Sequence, residues 1–262
     1  MHQSWPKFVQ NMFYATPDRG VAALQYGPAT VQLLVGDSTR LTLTETTGFP
    51  FREAITFTLA LDKSDEFPVH LRIPGWADGA TVSVNGQDIA GAAAGAMFVE
   101  KRSWNDGDVI ELRLPMKIKV SVWHDFSKAV ERGPLVYALG VKSKVSTAST
   151  GDSYGSYTEH RPAEPWNFGL LNKALSDSTT FRFTERNWDG RYPWNLQAAP
   201  VSITLPAVRI PEWTATNGLP HFPAFWGRYA EYQEEDLQTI ELVPYGCTTL
   251  RISTFPAYNL AR

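Results

Sequence analysis

The sequence predicts an all-β chain, with two consecutive antiparallel β-sandwich domains preceded by a short amphipathic helix. Three observations carry that prediction. Short, alternating apolar runs recur from residue 20 onward at the roughly 8 to 12 residue spacing of sandwich strands. Turn signals built from Gly, Pro, Asn and Asp separate the runs. No long helical periodicity interrupts them. A length of 262 residues suits two ordinary domains, and 43% hydrophobic residues can fill their cores.

The first fourteen residues, MHQSWPKFVQNMFY, read as one amphipathic helix. Ser4 is placed to cap it and Pro6 suits its first turn, while Trp5, Phe8, Val9, Met12 and Phe13 follow helical spacing. Thr16-Pro17-Asp18-Arg19-Gly20 then ends it with turn chemistry. So short a helix with so large an apolar stripe needs a partner. Two partners are open: the sheets of its own domain, or a helical domain outside the chain. The stretch has no basic start followed by an apolar core, so no secretory signal is expected within it.

Between residues 20 and 116 the strands are legible one by one. Leu41-Thr42-Leu43-Thr44-Glu45-Thr46 and Ala54-Ile55-Thr56-Phe57-Thr58-Leu59 alternate cleanly. Thr81-Val82-Ser83-Val84 runs into Asn85-Gly86, a strong hairpin signal. Trp104-Asn105-Asp106-Gly107 is the turn before Val109-Ile110-Glu111-Leu112. Gly91-Ala92-Ala93-Ala94-Gly95 reads as a hairpin tip. From residue 117 to 262 the pattern is looser. Ile118 to Trp123, Leu135 to Val141, Phe181 to Glu185, Val201 to Leu205, Thr239 to Val243 and Thr248 to Ser253 read as strands of a second sandwich. Residues 146–157 (STASTGDSYGSY) read as an exposed loop, and Pro- and Trp-rich connections fill the remainder. The expected domains are therefore 1–19, 20–116 and 117–262.

Several classes of chemistry find no support. A formal charge of −3 offers no basic excess for nucleic acid. No segment approaches the roughly 18 uncharged apolar residues that suggest a membrane span. Cys247 is the single cysteine, so neither an internal disulfide nor a cysteine-based metal cluster is available. His2, His70, His124, His160 and His221 lack the spacing of a zinc pair, so no metal ligands are assigned. Phosphate-binding glycine loops and the Gly-x-Ser-x-Gly elbow are absent. The acidic groups at Glu231, Glu234, Glu235 and Asp236, and at Asp62, Asp65 and Glu66, read as solvated faces rather than a catalytic pair.

What stands out is nine Trp, ten Tyr and fourteen Phe, more aromatic surface than a neutral core account explains. Flat rings stack on the C–H face of sugars, and Trp166 and Trp194, in the phrases Pro165-Trp166-Asn167 and Pro193-Trp194-Asn195, are the candidates, with Trp213 and Trp226 beside them. Burial in a core or an interface is the competing and more common use of such rings.

A series of phrases is more specific than any of these motifs. Leu71-Arg72-Ile73-Pro74-Gly75-Trp76-Ala77, Val82-Ser83-Val84-Asn85-Gly86, Arg102-Ser103-Trp104-Asn105-Asp106-Gly107-Asp108 and Leu112-Arg113-Leu114-Pro115-Met116 occur in that order. Ala129-Val130-Glu131-Arg132-Gly133-Pro134-Leu135-Val136-Tyr137 and Val243-Pro244-Tyr245-Gly246-Cys247-Thr248-Thr249-Leu250 follow. Over nearly its whole length the chain resembles the C-terminal half of the bacterial β-L-arabinofuranosidase-like enzymes of glycoside hydrolase family 127. The resemblance implies a catalytic (α/α)6 barrel followed by two β-sandwiches. It also implies a zinc-binding cysteine pair, with a thiolate nucleophile, just ahead of the helix that leads into the first sandwich. His2 to Phe8 look like the residues that follow that cysteine segment, yet no cysteine precedes them, and the acid/base glutamates would lie further upstream. No catalytic or zinc-binding residue of the family can be carried onto this sequence.

The expected function is thus a non-catalytic accessory region that packs on the barrel of an arabinofuranosidase-like parent enzyme. That barrel is the expected partner, with no cofactor in this chain, no nucleic acid and no membrane. The helix would be the last barrel helix, and His2 and Gln3 would lie near the parent's active site unless they simply cap the helix. The rival expectation is a self-standing carbohydrate-binding module that uses Trp166 or Trp194. A complete enzyme with carboxylates on the sandwiches ranks third. The sequence assigns neither the sugar nor a compartment.

Overall fold

In the computed structural model, which describes residues 4–149, 151, 155–216, 218–221 and 233–258, the chain divides into the units Met1–Lys117 and Ile118–Arg262. In the first unit, α1 (Ser4–Gln10) leads to β1 (Phe13–Ala15), β2 (Val21–Ala23), β3 (Ala29–Val35), β4 (Thr39–Thr47) and β5 (Ala54–Leu61). β6 (Asp65–Arg72), β7 (Thr81–Val84), β8 (Gln87–Ile89), β9 (Met97–Trp104) and β10 (Val109–Arg113) follow. A four-stranded sheet runs in the order β1-β2-β6-β9, and a six-stranded sheet in the order β3-β4-β5-β10-β7-β8. One apolar cluster draws on both: Val21, Phe67, Leu71 and Trp104 from the first sheet, Leu43, Phe57, Leu59 and Leu112 from the second. That shared core makes the unit a sandwich.

Period-two burial in β4 and β5 produces the core directly: Leu41, Leu43 and Glu45 point inward from β4, and Ile55, Phe57, Leu59 and Leu61 from β5. The Asn85-Gly86 hairpin forms as expected, with φ of 52° and 77° at its two central residues. Asn85 Oδ1 accepts a 2.9 Å bond from the Val109 amide, and its Nδ2 donates to Asp108 Oδ1 at 2.9 Å. The turn is thereby tied to the next strand. One pairing departs from the antiparallel expectation, since β2 and β6 run parallel.

Two expectations are corrected in this unit. The fourteen-residue helix is shorter: α1 stops at Gln10, and β1 pairs antiparallel with β2 from Phe13↔Ala23 onward. The Leu24 amide donates to the Met12 carbonyl at 2.9 Å, so sheet pairing displaces the helical hydrogen bonds there. The apolar stripe splits accordingly. Phe8 and Val9 are 41% and 58% exposed, whereas Met12 is buried and Phe13 packs on the unit's own core. The Trp5 side chain lies outside the described residues. The glycine-alanine stretch 91–95 is not a hairpin tip either. It carries the chain from β8 in one sheet to β9 in the other, and the Gly95 amide donates to the Ile73 carbonyl at 3.0 Å.

The second unit contains β11 (Ile118–Val122), β12 (Lys128–Arg132), β13 (Leu135–Leu139), β14 (Ser143–Ser149), β15 (Ser156–Pro162) and β16 (Phe168–Leu171). After α2 (Asn172–Ser176) come β17 (Arg182–Glu185), β18 (Val201–Arg209), β19 (Ala215–Thr216), β20 (Leu219–Pro220), β21 (Leu237–Pro244) and β22 (Ala257–Tyr258). Its main sheet runs β11-β12-β13-β21-β18-β16-β22, with β17 also on β18. β18 is buried along most of its length because it pairs on both sides and both its faces are covered. β16 and β22 run parallel.

Of the stretch read as an exposed loop, residues 146–149 and 156–157 belong to a two-stranded ribbon in which β14 pairs with β15 from Ser143↔Pro162 to Ser149↔Ser156. Most of its residues are exposed, so no apolar alternation announces it. Thr248 to Ser253 is not a strand. Thr248 Oγ1 donates to the Leu250 carbonyl at 3.0 Å and Arg251 Nε to the Thr248 carbonyl at 3.1 Å, folding the segment on itself. Only Ile252 reaches the sheet, accepting a 2.8 Å bond from the Leu139 amide.

Candidate functional site

In the second unit, the end of β11, the Gly133-Pro134 turn between β12 and β13, and the single turn Tyr245–Cys247 after β21 surround a groove of about 480 Å³. Trp123, Pro134, Val136, Tyr245, Ser253 and Thr254 are among its lining residues. Two of them present large exposed rings, Trp123 at 58% and Tyr245 at 43%. Neither ring is loose. Trp123 Nε1 donates to Ser121 Oγ at 2.8 Å, and that hydroxyl donates to the Glu131 carboxylate across the β11–β12 pair. The Arg251 guanidinium lies 4.8 Å from the centroid of the Tyr245 ring. Arg251 is in turn held by the Thr248 carbonyl.

The candidates named from sequence take other places. Trp194 is 42% exposed and its ring lies on Gly246, where a Cβ would come within 2.7 Å of the indole. Glycine is therefore required at that turn for close approach. Trp166 is half-buried, packs edge-on against Trp213 at 5.1 Å and lines a smaller groove of about 280 Å³ with Pro162, Pro220 and Arg251. Trp213 is a core residue whose Nε1 donates to the His221 carbonyl at 2.8 Å. His2, Gln3 and Trp226 lie outside the described residues. Sequence reading did not single out Trp123 and Tyr245. The first ends a strand-like run and the second sits in a Pro-Tyr-Gly turn, and only the folded sheet brings them together.

The single cysteine is not placed for the thiolate chemistry of the resembled family. Cys247 is buried, its Sγ lies 3.2 Å from the Pro193 carbonyl, and burial pushes the thiol up to about 11. A nucleophilic or zinc-binding thiolate needs the opposite shift. Among the described residues no group of three or more His, Cys, Asp or Glu side chains converges on a possible metal position. In the acidic cluster at residues 62–66, Asp65 accepts the Thr39 hydroxyl at 2.5 Å and the Asp37 amide at 2.7 Å, which hold its carboxyl below the ordinary range. Asp62 accepts the Arg40 amide at 3.1 Å. His70 Nε2 lies 3.0 Å from Asp18 Oδ2, an exposed pair bridging β6 to the turn before β2.

Residues 20–116 match the family model described as β-L-arabinofuranosidase, GH127 middle domain. No curated protein matches the chain. Among solved structures, the chain is similar to the GH127 β-L-arabinofuranosidase Ara127N-Se of Geobacillus stearothermophilus T6, with a TM-score of 0.60 at 20% identity over 95% of this chain and 35% of that one. A protein described as a glycoside hydrolase gives a TM-score of 0.60 at 21% identity over 92% of this chain and 36% of that one. Another GH127 β-arabinofuranosidase gives 0.54 at 21% identity over 88% and 33%. The chain therefore spans about a third of the length of these structures. With a middle-domain match over residues 20–116 and a shared fold along most of its length, this chain resembles the β-sandwich region of the β-L-arabinofuranosidase-like glycoside hydrolases of family 127.

Proposed function

We propose that the chain is the non-catalytic accessory region of a bacterial glycoside hydrolase, an arabinofuranosidase-like parent acting on arabinose in plant polysaccharide or glycan. Its work is to pack on a catalytic barrel and support it. The observation that carries this reading is the middle-domain match over residues 20–116, in a chain a third as long as the enzymes it resembles. The reading is supported by Cys247, whose thiol is buried and raised, and by Asp62 and Asp65, whose carboxylates are engaged by backbone amides. The exposed apolar pair Phe8 and Val9 offers the kind of surface that another domain covers.

The test has two steps. The coding DNA around the gene is read for a barrel-encoding segment in frame with this chain or adjacent to it, and that barrel is expressed with and without the chain. The barrel is expected to need the chain for solubility or turnover of an aryl β-L-arabinofuranoside, while the chain alone stays at the buffer rate. Turnover by the chain alone, or a barrel indifferent to it, overturns the proposal.

A further inference from the structure

We infer that the groove between Trp123 and Tyr245 is a binding site for a neutral saccharide, with the two rings as stacking platforms. Four features of the groove support this. First, Trp123 and Tyr245 stay 58% and 43% exposed although they are among the largest side chains of the chain. Second, each ring is held by a neighbour: Trp123 Nε1 donates to Ser121 Oγ at the ring edge, and the Arg251 guanidinium lies over one face of Tyr245. Ring planes fixed before a ligand arrives lose little entropy when it binds. Third, Ser253 and Thr254 are among the residues that line the groove, and hydroxyl-bearing side chains suit sugar hydroxyls that must keep hydrogen bonds when they leave water. Fourth, no charged residue is among the lining residues, which favours a neutral ligand over a phosphorylated or carboxylated one. The volume, about 480 Å³, lies within the roughly 300–1,000 Å³ range of small-molecule sites.

The saccharide is preferred to a protein surface as occupant because the two exposed rings bound a groove of small-molecule volume with no charged residue among its lining residues. The inference is separable from the accessory role, since it concerns binding by this chain alone.

The experiment is native affinity electrophoresis of the full chain through gels containing soluble arabinan, arabinoxylan or a β-glucan. Trp123→Ala, Trp123→Phe, Tyr245→Ala and Trp166→Ala are run beside it, each checked for an unchanged far-ultraviolet spectrum. At least one glycan is expected to retard the chain. Trp123→Ala and Tyr245→Ala should each weaken retardation by about tenfold or more, as expected when a stacking ring is lost. Trp123→Phe should keep most of it, and Trp166→Ala all of it. Absence of retardation in every glycan overturns the inference, as does retardation that survives both alanine changes at the groove or is lost in Trp166→Ala instead. If Trp123→Ala does not fold, the Tyr245→Ala and Trp123→Phe pair decides alone. Should the groove prove to be covered by a catalytic barrel, with Trp123→Ala blocking co-elution and no glycan bound, this inference fails while the accessory role stands.

Discussion

Among the described residues the second unit leaves more large aromatic rings open than the first, although both bury some. In Met1–Lys117, Trp104 is fully buried, its Nε1 donates to the Phe67 carbonyl at 2.9 Å, and Tyr26, Phe49 and Phe57 meet edge to face. In Ile118–Arg262, Trp123, Tyr192, Trp194 and Tyr245 keep large parts of their rings in solvent. A core closed between two sheets constrains every inward position to one size and polarity. A unit built on one long sheet with irregular connections leaves many ring positions free of that constraint. It is the first unit, over residues 20–116, that the family model matches, while the second is related to known proteins by its fold.

The contrast can be broken most forcefully at the tryptophans. Trp104→Ala is expected to cost about 3–5 kcal/mol in thermal or denaturant unfolding, through a core cavity and an orphaned carbonyl. Trp194→Ala, at a half-open ring, should cost about 1 kcal/mol or less. Equal losses would dissolve the distinction between the units.

A second test uses pH. Burial raises the Glu45 carboxyl, ordinarily near 4.5, to about 8, although its Oε1 accepts a 2.8 Å bond from the Gly27 amide. Between those pH values the folded unit holds a proton that the unfolded chain has released. Stability attributable to Glu45 therefore falls as pH rises from about 4.5 to about 8 and levels off above. Glu45→Gln should remove that slope and be the more stable form at pH 8, by up to about 4 kcal/mol, measured by urea unfolding across the range. A Glu45→Gln variant that tracks the wild type at every pH would show that the carboxyl is not sealed in the core.

The smallest effect is local. Asn85→Ala keeps a side chain at φ near 52° without asparagine's tolerance of that region, and removes both side-chain bonds to Asp108 and Val109. A loss of about 1–2 kcal/mol is expected, confined to the first unit. A neutral result would mean that strand pairing alone holds the hairpin register.

These residues also show where sequence reading succeeds. Asn85-Gly86 is legible because its signal is local, a positive-φ turn between two alternating strands. The inward faces of β4 and β5 are legible because period two maps directly onto burial. The break at Met12-Phe13 is not, since helical spacing of apolar residues suits either state and the deciding partner is Ala23 on β2. The β14–β15 ribbon escapes notice because it is held by backbone pairing with little apolar burial. Thr248 to Ser253 looks like a strand by composition, but its carbonyls are taken by its own hydroxyl and guanidinium.

By itself, then, the sequence determined the all-β class, the strands and turns of the first sandwich, and the order of phrases that carries the family resemblance. Those are properties of neighbouring residues and of burial periodicity. Tertiary structure alone decided that Trp194 rests on Gly246, that Cys247 is sealed and its thiol raised, and that Trp123 and Tyr245 face one groove. Each joins segments far apart in the chain, and the pairing of β11, β12, β13 and β21 that unites them leaves no periodic trace in any one segment.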